Sequence, residues 1–311
     1  MKNDSWRQDL ASYRLRFELP TRYADVDAER HVNNVAVQTL HAEARSRLHL
    51  SVFGWEAWQP LTATVRTRAV RTDFLQVTYY PAPVTCGAAL VEVDASGYTL
   101  ALGLFQQGRC VGVQSCRIGA WRDGEWRPLP AAVREAMLDF GPDAVMAAGL
   151  PGGAPGPGAG DDADGGGAEA GGYPCADRLT TRFGDLDADG MLSELALARY
   201  FEQGRSHLLL ALGQDCGADL RHGPVGMLIA STGAHVLRQV RPGAEMTLAS
   251  GVVRIGRTSV VLRTAAFQGE ACVGIADNVM VFIARADGRP TPVPAALARR
   301  LEGLACAGLP R

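Results

Sequence analysis

Arg22-Tyr23-Ala24-Asp25-Val26-Asp27 returns 160 residues later as Arg182-Phe183-Gly184-Asp185-Leu186-Asp187. The same spacing carries Arg45 onto Arg205 and Leu48 onto Leu208 with no gap. Farther along, Phe105-Gln106 meets Phe267-Gln268 and Cys110-Val111-Gly112-Val113 meets Cys272-Val273-Gly274-Ile275, now 162 apart. A drift of two residues is one small loop change, and several matches in register mark a duplicated chain. The fold therefore has to be read twice.

Each copy follows the same plan. After the hexapeptide, Val37, Leu40, Ala44 and Leu48 recur at helical spacing, as do Leu197, Tyr200, Phe201, Gly204 and Leu208. Asn33 or Asn34, and Ser193, suit the N-caps of these helices. Runs rich in Val, Ile, Leu and Thr come next: 62–70, 88–93, 98–105 and 109–118, with counterparts 226–236, 246–255, 259–267 and 271–284. A short strand, a long helix and a series of closely connected strands imply an α+β fold, an antiparallel sheet wrapped around one helix.

Between the copies, residues 141–172 read GPDAVMAAGLPGGAPGPGAGDDADGGGAEAGG, poor in side chains that build a core and rich in Gly and Asp. The expected division is an N-terminal domain 1–140, a flexible linker 141–172 and a C-terminal domain 173–311. With 31 basic and 33 acidic residues and no dense basic block, a nucleic-acid partner is not expected. Cys86, Cys110, Cys116, Cys175, Cys216, Cys272 and Cys306 form no C-x-x-C pair and are odd in number. Neither a zinc site nor a disulfide framework follows, and dispersed thiols suit a reducing compartment. The first residues, MKNDSWRQDLASYRLRF, lack the apolar stretch of a signal peptide, and no run is long enough to span a bilayer. A soluble, cytoplasmic protein is expected.

The first copy continues as RYADVDAERHVNNVAVQTLHAEAR. It resembles the signature of the 4-hydroxybenzoyl-CoA thioesterase branch of the hotdog superfamily, and its D-x-D-x-x-x-H-V-N-N stretch is similar to plant-type acyl-ACP thioesterases. The second copy, RFGDLDADGML, resembles the benzoyl-CoA thioesterase form, which lacks the histidine. The resemblance implies two hotdog domains pairing as an intramolecular pseudo-dimer that hydrolyses an acyl-CoA, or an acyl-ACP. It places Asp27 and Asp187 at the catalytic carboxylate, Asp25 and Asp185 at a turn-ordering position, and His31, Asn33 and Asn34 in the H-V-N-N element. In the second copy Met191, Ser193 and Glu194 stand at the positions of His31, Asn33 and Asn34. A homodimer of pseudo-dimers is also compatible with it.

Chemistry supports the same residues independently. Thioester hydrolysis needs a carboxylate to activate water or attack directly, and fixed donors for the developing oxyanion. Asp27 supplies the carboxylate, and His31 can polarise the carbonyl, orient water or assist the leaving thiolate. The amides at the helix start near Asn33 and Asn34 are candidate donors. Against this, an Asp before a helix can simply cap it, worth about 0.3–1 kcal/mol, and His31 can be a satisfied core histidine. For Asp187, without its histidine, catalysis and structure weigh evenly. His41, His49, His207, His222 and His235 show no metal-ligand spacing and read as structural or surface residues. Arg45 and Arg205 suit CoA phosphates or, more commonly, helix-surface ion pairs. No metal and no cofactor are expected, CoA being part of the substrate. A hotdog enoyl-CoA hydratase or dehydratase and a non-catalytic acyl-CoA-binding protein are the competing functions.

Overall fold

The computed structural model describes residues 4–54, 64–141, 170–216 and 223–306. The chain divides into two compact units, Met1–Gly158 and Ala159–Arg311. The stretch expected as a linker, 141–172, lies outside the described residues except at its ends. No described helix is long and apolar enough to cross a membrane.

Unit 1 is built from β1 (Leu15–Leu19), α1 (Asn34–Phe53), β2 (Thr64–Phe74), β3 (Val84–Val93), β4 (Tyr98–Gln106), β5 (Arg109–Arg122), β6 (Glu125–Arg127) and α2 (Ala131–Phe140). Its strands pair antiparallel in the order β1-β3-β4-β5-β2, with β6 on β5. α1 ends at Gly54, whose positive φ of 63° stops the helix while its N–H caps the Leu50 carbonyl. The apolar face foreseen for α1 is the buried one. Val37, Leu40, Ala44 and Leu48 pack against Leu90, Leu100, Leu102, Leu104 and Ile118 of the sheet.

Unit 2 repeats this with β7 (Cys175–Thr180), α3 (Glu194–Cys216), β8 (Val225–Val236), β9 (Glu245–Ile255), β10 (Ser259–Gln268), β11 (Ala271–Ala284) and α4 (Ala295–Glu302). Its antiparallel order is β7-β9-β10-β11-β8. Leu208 and Leu212 of α3 close its core against Val252, Val260, Leu262 and Phe282. Each unit is thus α+β, a long helix against an antiparallel sheet.

Even the irregularities coincide. Arg68, Val91 and Val111 are skipped by the ladders of unit 1 as β-bulges, and Ala230, Val253 and Val273 by those of unit 2, each pair 162 residues apart. The last bulge has one job in both. The carbonyl of Val111 accepts the N–H groups of Leu75 and Gln76, and that of Val273 those of Leu237 and Arg238. Each unit thereby fixes the connection leaving its β2 or β8 strand, and that connection holds the loop after the hexapeptide, through Val32 to Thr78 and Leu192 to Val240.

Sequence reading located each long strand that follows the long helices but stopped short at several ends and missed the short β6. The run expected at 62–70 extends to Phe74, and that at 88–93 begins at Val84. The closing helices α2 and α4 went unforeseen.

Candidate active site

In unit 1 the chain leaves β1, makes one turn of 3-10 helix at Tyr23–Asp25, and reaches α1 through a tight loop. Arg22 fixes the first turn, its backbone N–H donating to Asp25 Oδ2 at 2.9 Å and its Nη2 to Oδ1 at 2.7 Å. This pairing holds the Arg22 guanidinium above its ordinary pKa. Asp25 is buried and its role is to order the turn, as its place in the motif suggested.

The loop is closed by Asp27. Its N–H donates to the His31 carbonyl at 2.8 Å, and its carbonyl accepts the Arg30 N–H at 3.0 Å. Its side-chain Oδ1 accepts the N–H groups of Glu29 at 2.9 Å and His31 at 3.2 Å. One carboxylate oxygen therefore rigidifies the loop, and Oδ2 has no partner among the described residues. Val32 donates to the Thr78 carbonyl at 2.9 Å, tying the loop to the β2–β3 connection. Edge-on packing of the His31 ring against Tyr79, 5.6 Å between centroids, orients the imidazole.

Asn33 is the N-cap of α1, its Oδ1 accepting the Val35 N–H at 2.7 Å. Helix capping is therefore not the work of Asp27. Asn33 also corrects one expectation about donors: its own N–H is committed to the Asp25 carbonyl at 2.7 Å, and Val35's to the cap. Asn34 opens the first turn of α1, after that cap.

Unit 2 reproduces the loop bond for bond. Asp187 N–H meets the Met191 carbonyl at 2.8 Å, and Asp187 Oδ1 accepts from Asp189 and Met191 at 3.0 and 3.1 Å. Ser193 caps α3 through Oγ, 3.0 Å from the Ala196 N–H. Two differences stand out. Met191 replaces the imidazole, and Tyr200, where unit 1 has Leu40, donates its hydroxyl to Asp185 Oδ2 at 2.6 Å. Burial acts to raise the Asp185 pKa, but hydrogen bonds from Arg182 and Tyr200 outweigh it and hold the carboxyl at about 2.

Arg45 and Arg205 are not surface residues. They are 9% and 6% exposed; Arg45 donates to Cys116 Sγ at 3.4 Å and Arg205 to Asn278 Oδ1 at 2.9 Å. Phosphate binding does not fit a guanidinium inside the unit; Arg205 does make a helix ion pair, with Glu202 Oε1 at 3.5 Å, but a largely buried one. Of the histidines, His41 is fully buried, His49 lies 2.8 Å from the Tyr98 hydroxyl, and His207 Nδ1 lies 3.0 Å from Asp177. His222 lies outside the described residues. Among the described residues, no group of three His, Cys, Asp or Glu side chains is placed to hold a metal ion.

Sequence reasoning missed Tyr79 and the residue that places it. Gln106, buried at the end of β4, accepts the Tyr79 N–H at 2.9 Å and donates to the carbonyls of Tyr79 and Ala82 at 2.7 and 2.8 Å. The repeat contained Gln106 and Gln268 as a match, yet Gln268 is exposed, so their identity hid different work. Unit 2 also has a cleft of about 470 Å³ between α3 and its edge strands, lined by Asp177, Gly204, His207, Leu248 and Ser250. In unit 1, Phe17 and Arg47 stand where Asp177 and His207 do, with the guanidinium over the ring.

Residues 181–301 match the thioesterase-like superfamily. No curated protein sequence matches the chain. Among solved structures, the chain is similar to an oleoyl thioesterase (putative) from Lactobacillus plantarum, at 10% identity and TM-score 0.65, over 86% of this chain and 95% of that one. It is similar to the 12:0-ACP thioesterase from Umbellularia californica at 12% identity and TM-score 0.65, over 89% and 99%. An acyl-ACP thioesterase from Bacteroides thetaiotaomicron follows at 10% identity and TM-score 0.58, over 86% and 97%. At such identities these three establish a shared fold.

Proposed function

We propose that this chain, whose residues 181–301 match the thioesterase-like superfamily, is a thioester hydrolase that cleaves acyl-CoA thioesters at the Asp27–His31 loop of unit 1. The observation that carries the reading is the division of labour on the Asp27 carboxylate. Oδ1 is held by two loop amides, so Oδ2 is aimed without needing to reorganise.

In this reading Oδ2 takes a proton from water while the water oxygen bonds to the thioester carbon; direct attack by the carboxylate is the variant route. The carbonyl electrons move onto oxygen, where His31 and amides of the first turn of α1 stabilise the charge. Collapse breaks the C–S bond, the thiolate leaves as CoA after protonation, and the acid is freed. Asn33 and Asn34 set the position of that first turn. Asp187 keeps the carboxylate without the imidazole and is assigned a supporting role. The two units are read as hotdog domains that pair within one chain, joined by residues 141–172 and acting in the cytoplasm.

Thiol release from aromatic, short, medium and long acyl-CoAs tests this reading. Stoichiometric appearance of CoA and free acid with at least one acyl class is expected. If every acyl-CoA in that panel is left intact, the proposal fails.

A further inference from the structure

Beneath α1, unit 1 keeps a polar group that the fold does not require. His41 is fully buried, and neither ring nitrogen has a hydrogen-bond partner among the described residues. Gln114, 1% exposed on β5, donates through Nε2 to Thr72 Oγ1 at 3.0 Å, while its Oε1 has no partner among the described residues. Thr72 is directly opposite Gln114 in the β2–β5 ladder. In unit 2 the corresponding positions are Phe201, Ala276 and Ala234, the last two likewise opposite each other in the β8–β11 ladder. At these three positions unit 2 is thus closed by apolar side chains alone. Buried polar groups left unpaired cost stability, so three polar side chains kept where the other copy has Phe and Ala ask for a ligand.

Space points the same way. A Cβ placed on Gly112, the inward residue under His41, would meet nothing nearer than the Asp73 carbonyl at 3.5 Å, with His41 Nε2 at 3.9 Å. On Gly274 it would come within 2.8 Å of the His235 carbonyl and 3.2–3.3 Å of Leu197 and Phe201. At this position helix and sheet are closer in unit 2 than in unit 1. The roomier position lies next to the candidate active site. Val32 is bonded to Thr78, Gln76 of the same connection to Val111, and Gly112 comes next. His41 follows Asn33 by about two helical turns, roughly 12 Å along the axis.

Burial, aided by the charge of Arg45, pushes the His41 pKa down to about 3, so the ring is neutral, with one N–H and one lone pair. A hydroxyl is the group that uses both sides of this arrangement: it donates to Gln114 Oε1 and accepts from the imidazole N–H. A keto oxygen would leave the glutamine unpaired, and a bare hydrocarbon would leave both. We propose that His41, Gln114 and Thr72 form an acyl subsite that selects acyl groups carrying a hydroxyl remote from the thioester. This rests on the assignment of the thioester to the Asp27 loop.

Binding and turnover separate the two claims. Hexyl, octyl and decyl thioethers of CoA, each with and without a terminal hydroxyl, are measured by calorimetry on the full chain. At the best chain length the wild type is expected to bind the hydroxylated analogue about tenfold more tightly. The triple variant His41→Phe, Thr72→Ala, Gln114→Ala, which installs the unit 2 residues, is expected to lose or reverse that preference. Gln114→Ala alone is the second variant should the triple one not fold, with the preference reduced. Equal binding of both analogues by the wild type, or an unchanged preference in the folded variants, overturns the subsite. If the wild type discriminates between thioethers but hydrolyses neither corresponding thioester, the subsite stands and the hydrolase reading falls.

Discussion

The loops Asp27–His31 and Asp187–Met191 share every backbone hydrogen bond described above and keep the same carboxylate, yet they differ in the side chain that follows it four residues on. In unit 1 the loop carries an imidazole oriented by Tyr79, which Gln106 clamps in place. In unit 2 it carries a thioether, and the polar investment has moved inward to the Tyr200–Asp185 bond. The two copies show that the D-x-D segment is first a folding device: two carboxylates turn the chain through a right number of residues into a helix cap. In the proposed mechanism catalytic capacity is a separate layer, added by what stands at position 31 and by what lies behind it.

The sharpest way to break this comparison is to remove each second aspartate in turn. Asp27→Ala is expected to lower turnover by about 10²–10⁴, while Asp187→Ala changes it by no more than roughly threefold. Thiol release under saturating acyl-CoA checks both. Should Asp187→Ala alone abolish activity, the ranking of the two loops is wrong.

A smaller effect tests where unit 2 has put its polar energy. Tyr200→Phe is expected to cost about 1.5–3 kcal/mol of stability, since the lost hydrogen bond ends on a carboxylate. Denaturant unfolding at neutral pH measures it. Asp185 titrates at about 2 in the folded chain, below the roughly 3.9 of an unfolded aspartate. Its contribution is therefore whole above about pH 4 and is lost as the pH falls through 2. Unfolding curves taken across that window are expected to show a smaller pH-dependent loss in Tyr200→Phe than in the wild type.

The smallest effect concerns Arg30, held at a φ of 64°, where unit 2 has Gly190 at 71°. Only glycine adopts that conformation without strain. Arg30→Gly is expected to stabilise the chain by about 1 kcal/mol and Gly190→Arg to destabilise it by a similar amount. Equal and opposite shifts in thermal unfolding would show that the loops are interchangeable as backbone.

Much of this organisation was legible in one sequence because it is local. Helical spacing at Val37, Leu40, Ala44 and Leu48, and the caps Asn33 and Ser193, are decided within a few residues. What escaped was decided at a distance. Arg45 looks like a surface cation until Cys116, 71 residues away, is seen to receive it. Gln106 and Gln268 are identical letters, and only the course of the β2–β3 connection gives the first one its three bonds. His41 sits on the same face as the apolar stripe, so periodicity alone could not separate a core residue from a ligand-facing one.

The matched bulges have a genetic consequence. Insertions at Arg68, Val91 and Val111 are mirrored at Ala230, Val253 and Val273, so the two halves stay in register across their long strands even where few letters agree. A segment of one copy spliced into the other at the β4–β5 and β10–β11 hairpins therefore keeps its reading of inside and outside. Recombination between the halves of such a gene is a route to new pocket linings that begins from an intact scaffold.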